Sequence, residues 1–265
     1  MVRDAIIQWQ CANKLYDSLP AGADVFWSLP VVAETYDGKL NDINGFHITK
    51  NHAFAALDSA ASGPVVEGNV GGGTGMSCHQ FKGGIGTASR KLDKSDGAFV
   101  VGVLVQANHG IRQTLTISGV PVGKEINDLM PEIYSPVGNQ QQEVGSIIVV
   151  VATDAPLLPH QLKRLARRVP MGIARVGAYG GNGSGDIFIA FSTANPGIGA
   201  RTGLQQPLML PNDQMDPLFL ATVEATEEAI INALLAATTM TGINGNRKHA
   251  LPHKRLQEVM KKYGR

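Results

Sequence analysis

The spacing of apolar and polar positions divides this chain into short strand-like runs and longer helix-like stretches. Residues 97–106, 147–152 and 187–191 are short apolar runs that read as buried strands. The middle run is rich in β-branched residues and bounded by Gly145 and Pro156, which marks it as a central strand. A fourth, very short run at Val31-Val32-Ala33 reads as another buried strand. Apolar residues return at helical spacing over 3–18, where Ile6, Ile7, Trp9 and Leu15 share a face. Helices are also predicted over 50–60, 159–175 and 252–262. The clearest is 217–236, opening with Asp216 as N-cap and Pro217 as first helical residue. The 159–175 helix carries a Leu/Ala stripe, with Lys163, Arg164, Arg167 and Arg168 as its solvated face. The polar stretch 135–143 is the best linker candidate. Strands too apolar to face water, flanked by long helices, imply a layered α/β or α+β body.

Composition narrows this picture. A chain of 265 residues fits one large domain or two small ones. Charged residues at 17% and 31 glycines point to a compact body with many tight loops. A net charge of +1 argues against nucleic acid or an anionic membrane as partner. No run of eighteen apolar residues could span a bilayer. No charged-then-apolar leader opens the chain, so a cytoplasmic location is expected, or a periplasmic one if a leader precedes this chain. Cys11 and Cys78 are too few for a disulfide framework, and no cysteine or histidine spacing suggests a metal. Cys78 precedes His79, so a catalytic thiol is one reading and a small buried side chain the stronger one.

Three segments could carry chemistry. The glycine run at 68–75 lacks the Gly-Lys-Ser/Thr ending of a phosphate loop, and reads as a backbone turn that lets a ligand approach closely. Ser184 lies in Gly181-Asn182-Gly183-Ser184-Gly185-Asp186, just before the third strand. Its hydroxyl could attack a carbonyl, including that of Gly183. Breaking that bond would leave Ser184 as an N-terminus whose own amine can activate its hydroxyl. On pattern alone, a turn serine and a nucleophile carry equal weight. A Ser-His-Asp hydrolase is disfavoured, because the glycine expected two residues before the serine is Asn182. On the long helix, Glu224, Glu227 and Glu228 complement the helix dipole. Glu224 and Glu228 also share a face beside Ala225 and Ala229, which leaves room for a ligand.

Taken together, Glu67-Gly68-Asn69-Val70-Gly71-Gly72-Gly73-Thr74-Gly75-Met76, Phe81-Lys82-Gly83-Gly84-Ile85-Gly86-Thr87, Ala152-Thr153-Asp154-Ala155-Pro156-Leu157, Gly183-Ser184-Gly185-Asp186 and Val223-Glu224-Ala225-Thr226-Glu227-Glu228 resemble the DmpA family. These are L-aminopeptidase/D-amidase-esterases and β-peptidyl aminopeptidases. The resemblance implies an α+β, four-layer αββα sandwich like that of N-terminal-nucleophile hydrolases, differently connected. It implies one aminopeptidase domain over 1–265 that cleaves itself between Gly183 and Ser184, giving fragments 1–183 and 184–265. It implies hydrolysis of small peptides, amides or esters with a free amino group, without metal or organic cofactor, in a homo-oligomer, commonly a tetramer.

By the same resemblance Ser184 is the nucleophile, supported by Thr222 and Glu224. Glu67 holds the substrate's amino group and His79 contributes to substrate binding. Asp154 falls at an oxyanion position or caps the turn into the 159 helix. Relatives carry a segment before the position of Val2-Arg3-Asp4 that supplies strands, and the chain begins inside that motif. A truncated, non-catalytic homologue acting as a fold remnant or binding module is therefore the alternative. A self-cleaving acyltransferase like the ornithine acetyltransferases fits less well, since those use threonine as nucleophile.

Overall fold

The structure is a computed structural model that describes residues 2–13, 28–134, 145–199 and 203–265. The linker expected at 135–143 and the end of the helix expected over 3–18 lie outside these residues. Two compact units form: Met1–Glu34 with Asp42–Val65, and Thr35–Asn41 with Val66–Arg265.

The first unit contains helices α1 (Val2–Ala12) and α2 (Lys50–Asp58). The Trp9 indole N–H donates to Asp58 Oδ1 at 2.6 Å, joining them. Ala5 is the one buried residue of α1 and α2 has none. The strand expected at Val31-Val32-Ala33 does not form: Val31 is 73% and Val32 49% exposed, and both lie in irregular backbone. A three-residue run supplies too little apolar surface to recruit a ladder partner.

The second unit is built on a four-stranded sheet in the order β1 (Gly84–Lys91), β2 (Val100–Asn108), β3 (Ser146–Thr153), β4 (Ile187–Ser192). β1 with β2 and β2 with β3 pair antiparallel, and β4 runs parallel to β3. The parallel step requires a crossover, supplied by α3 (Pro159–Ala166) and α4 (Val169–Arg175). The single helix expected over 159–175 breaks here, because Pro170 lacks an N–H and its ring would meet the carbonyl of Ala166. Nor is the basic face of α3 wholly solvated: the Arg164 and Arg168 guanidiniums stack on the Phe219 ring, at 5.2 and 3.9 Å.

One sheet face is dry. Val101, Val103, Val105, Ala107, Ile147, Val149 and Val151 alternate inward and are buried on the face where α5 (Asp216–Ala236) packs across β1 and β2. Each such aliphatic side chain contributes about 1.5–3 kcal/mol relative to exposure. Helix α5 approaches closely because Ala221, Ala225, Ala229 and Ala233 recur every four residues on its buried side. Opposite them stands Gly86, where a Cβ would overlap the Ala229 carbonyl oxygen. The other sheet face carries Leu104, Val150, Ile187, Ile189 and Phe191 and is only partly covered, with Ile187 at 41% and Phe191 at 45% exposure. Helix α6 (His253–Lys262) closes the chain.

The glycine run packs on the sheet rather than opening a path to a ligand. Gly68 exchanges backbone hydrogen bonds with Ile85, and Cβ atoms on Gly73 or Gly84 would overlap the Gly68 carbonyl. Backbone against backbone is the reason for glycine here.

Candidate active site

After α4 the chain reverses through Gly177 and Gly180, both at positive φ. It then makes a tight turn closed by the Ser184 N–H donating to the Gly181 carbonyl at 2.8 Å. Asn182 and Gly183 are exposed and Ser184 is half-buried, so the Gly183–Ser184 peptide lies at the surface. The Ser184 hydroxyl donates to Asp186 Oδ1 at 2.6 Å, and the same oxygen accepts from the Ile147 N–H at 3.1 Å. The Gly185 N–H donates to Ser146 Oγ at 3.0 Å. The first residues of β3 therefore hold the serine turn on both sides. A nucleophile bonded to a carboxylate that is itself fixed by a backbone N–H is a suitable arrangement for proton removal.

The other expected site residues lie elsewhere. Glu224 bonds to Arg90 at 3.3 Å, and Arg90 shares a row across the sheet with Val101, Thr153 and Ser192. Ser184 stands at the opposite end, three residues before Ile187, so about 16 Å of strand separates the two rows. Thr222 is fully buried, and its hydroxyl donates to the Leu218 carbonyl one turn back at 2.8 Å. The expected support of Ser184 by Thr222 and Glu224 is thus not formed within this chain. Asp154 follows β3 at that same far end, where its Oδ1 accepts from the Val100 N–H at 2.7 Å. It caps the start of β2, neither an oxyanion position at Ser184 nor the α3 turn. There the Leu158 N–H is met by Gln161 instead.

Glu67 is half-buried beyond the outer edge of β1, its Oε1 accepting from the N–H and hydroxyl of Thr87 at 2.6 and 2.7 Å. Among the described residues, Oε2 accepts no hydrogen bond. Three strand spacings, about 14 Å, lie between β1 and the strand that Ser184 precedes. That separation is too long for an amine one or two carbons from a carbonyl held at Ser184. His79 is 0% exposed, with Nδ1 bonded to the Ile111 carbonyl at 3.0 Å, and so cannot line a substrate cleft in this conformation. Sequence reasoning passed over Asp186 and Ser146 as partners of Ser184. Asp186 was within sight, two residues on in the same motif; Ser146 becomes a neighbour only through the parallel pairing of β3 and β4.

A family model described as peptidase family S58 matches residues 1–248. The chain belongs to this family. It is 51% identical over 276 residues to a β-peptidyl aminopeptidase of Sphingosinicella microcystinivorans, covering 100% of this chain and 67% of the relative. It is 48% identical over 270 residues to a β-peptidyl aminopeptidase of Sphingosinicella xenopeptidilytica, covering 98% of this chain and 65% of the relative. The chain thus spans about two thirds of the length of these curated relatives. Among solved structures, an L-aminopeptidase D-Ala-esterase/amidase from Ochrobactrum anthropi superimposes with a TM-score of 0.89 at 49% identity, covering 100% of this chain and 71% of that one. It is described as a prototype for the serine aminopeptidases and a new variant among the Ntn hydrolase fold. A Burkholderia β-aminopeptidase gives 0.87 at 45% identity, over 100% and 71% of the two chains. The family resemblance and the α+β class expected from sequence are borne out. No described helix is long and apolar enough to cross a membrane.

Proposed function

We propose that this S58 chain is a self-processing serine aminopeptidase that acts on small peptides, amides or esters bearing a free amino group. The observation that carries the reading is the 2.6 Å hydrogen bond from the Ser184 hydroxyl to Asp186 beside the exposed Gly183. Ser184 Oγ attacks the Gly183 carbonyl carbon, with its proton passing toward Asp186. The C–N bond breaks, the Ser184 nitrogen leaves as a free amine, and water hydrolyses the resulting ester. Fragments 1–183 and 184–265 result. The new α-amine, with an ordinary pKa of about 7.7–8.0, then serves as base in turnover. Ser184 attacks the substrate carbonyl, an acyl-enzyme forms, the leaving amine takes the proton, and water restores the serine. Positioning of Ser184 falls to Asp186 and Ser146 in this reading, in place of Thr222 and Glu224. The names of the relatives, β-peptidyl aminopeptidases at 51% and 48% identity and an L-aminopeptidase D-Ala-esterase/amidase at 49%, support a substrate with an unblocked amine.

Intact-mass analysis of the purified chain, paired with hydrolysis of β-alanyl and L-alanyl p-nitroanilides, tests the reading. Two fragments split at Gly183–Ser184 and release of p-nitroaniline are expected. A permanently intact, inactive chain would favour the non-catalytic remnant. Light scattering checks the homo-oligomer, a tetramer by family resemblance.

A further inference from the structure

The fold gathers a second cluster that the serine chemistry does not use. Cys78 Sγ and the ring nitrogens of His79 and His109 all lie within 4.8 Å of one another, and all three residues are buried. Sequence spacing hid this group, because His109 stands thirty residues from its partners and arrives through the pairing of β1 with β2. Nε2 of His79 and both ring nitrogens of His109 are buried without a hydrogen-bond partner. Buried polar atoms are rarely left this way, because each costs the full desolvation of an unmet group. The one satisfied ring nitrogen is informative. His79 Nδ1 faces the Ile111 carbonyl at 3.0 Å, so it carries the proton, and Nε2 presents its lone pair. A carbonyl accepting the proton of the far ring nitrogen is the usual support of a metal-ligating imidazole. The backbone is also committed to the cluster. His79 and Gln80 hold positive φ of 46° and 62°, and Gly110 lies where a Cβ would stand 2.5 Å from the His79 ring.

We infer that Cys78, His79 and His109 form a binding site for one soft transition-metal ion, and that this ion is copper(I). A thiolate and two imidazoles suit copper(I) or zinc. Charge decides between them. Lys82 is buried, with its ammonium donating to the Gly73 and Gly83 carbonyls, and Arg112 is buried, with its guanidinium donating to the His79 carbonyl. Copper(I) with one thiolate gives a neutral centre beside these two cations, whereas zinc would leave a third positive charge in the same dry region. Binding balances as the Cys78 thiol plus Cu⁺ giving the Cu–S bond and one proton, which passes to solvent; no electron moves. Ligand atoms within 4.8 Å of one another can be brought onto one ion by small side-chain movements.

The test is an anaerobic titration of the purified full chain with copper(I) held by bicinchoninate, followed to constant absorbance, with a parallel zinc arm against a chromophoric chelator. One copper per chain is expected, and X-ray absorption of the loaded wild type should show one sulfur and two imidazole nitrogens. Cys78→Ser should weaken copper binding by about a hundredfold or more, while Cys11→Ser leaves it unchanged. No stoichiometric uptake by folded wild type, uptake unchanged in Cys78→Ser, or a spectrum without sulfur would each overturn the site. Zinc held more tightly than copper by the same residues would overturn the choice of ion. The X-ray absorption arm needs no variant, so a misfolded Cys78→Ser leaves the inference exposed to refutation. Fragment masses and p-nitroanilide hydrolysis do not enter, so the outcome is separate from that of the serine reading.

Discussion

At the end of the sheet where β4 begins, Ser184, Asp186 and Ser146 are joined by short hydrogen bonds on exposed or half-buried loops. At the other end, Glu224 and Glu228 sit on α5 with one arginine between them, and the Thr222 hydroxyl is turned back into its own helix. Both ends are rich in oxygen, yet only the first offers a hydroxyl next to a carboxylate and next to a bond it could break. A carboxylate paired with Arg90 has its charge already matched, and a serine or threonine bonded to the carbonyl four residues back is a common helical arrangement without catalytic content. Chemistry is therefore expected to respond to substitutions at the first end and stability alone to those at the second.

The largest effect is expected at Ser184. Ser184→Ala should leave a single 265-residue chain on an intact-mass spectrum and reduce amine release by about a thousandfold or more. Asp186→Asn comes next. Removing the carboxylate while keeping the shape should slow the appearance of fragments by about 10²–10⁴, the usual worth of a positioned base. A time course by denaturing gel reads this directly. An Asp186→Asn chain that matures at the wild-type rate would return Asp186 to the role of a turn residue, and the contrast between the two ends would lose its chemical half.

How much of this could be read beforehand depends on how local each feature is. The three apolar runs became β2, β3 and β4, and the long helix formed over Asp216–Ala236, within a residue of expectation. Local spacing decides such elements. Strand β1 was noticed only as a family segment, because Gly84-Ile85-Gly86-Thr87-Ala88-Ser89-Arg90-Lys91 lacks an apolar alternation. Its glycines answer to α5 and to Gly68, which are distant in sequence. Ser184 was legible from its own turn, whereas its neighbours were not. Ser146 reaches it through strand pairing, and Glu67, Thr222 and Glu224 were placed beside it by resemblance although sheet order keeps them apart. The Cys78, His79 and His109 cluster was missed for the same reason: nothing local ties residue 78 to residue 109.

That cluster supplies the next effect in size, on stability. Burial holds His79 down to about 4, opposed by its bond to the Ile111 carbonyl and assisted by Arg112; burial, with His79 nearby, holds His109 well below its ordinary value. In the unfolded chain both titrate near 6.5. Between about pH 6.5 and 4 the unfolded state therefore binds protons that the folded state refuses, and stability falls as pH drops through that window. It is fully present above 6.5. The shift for His79 alone corresponds to about 3 kcal/mol. Urea midpoints measured from pH 7 to pH 4.5 should decline accordingly, and the imidazole proton resonances of His79 and His109 should stay at their neutral positions down to about pH 5. Resonances that titrate near 6.5 would mean the two rings are reached by water.

The smallest effect is expected at the far end. Arg90 is shared, at 3.3 Å from Glu224 and 2.5 Å from Glu228, and all three side chains are a third to a half exposed. Such pairs contribute about 0.2–1 kcal/mol and weaken with salt. Glu224→Gln should then lower stability by less than about 1 kcal/mol, and by less than Glu228→Gln, because the shorter pair survives. The difference should shrink between low and high salt in urea melts. Fragment formation and p-nitroanilide turnover should stay within about twofold of wild type. The activity measurement bears most on the comparison. A loss of a hundredfold or more in kcat with stability unchanged would mean that Glu224 reaches the reacting atoms, an approach the sheet order of a single chain forbids. A neighbouring subunit would then have to bring the two ends together, and mixing Ser184→Ala with Glu224→Gln chains should restore turnover that neither has alone.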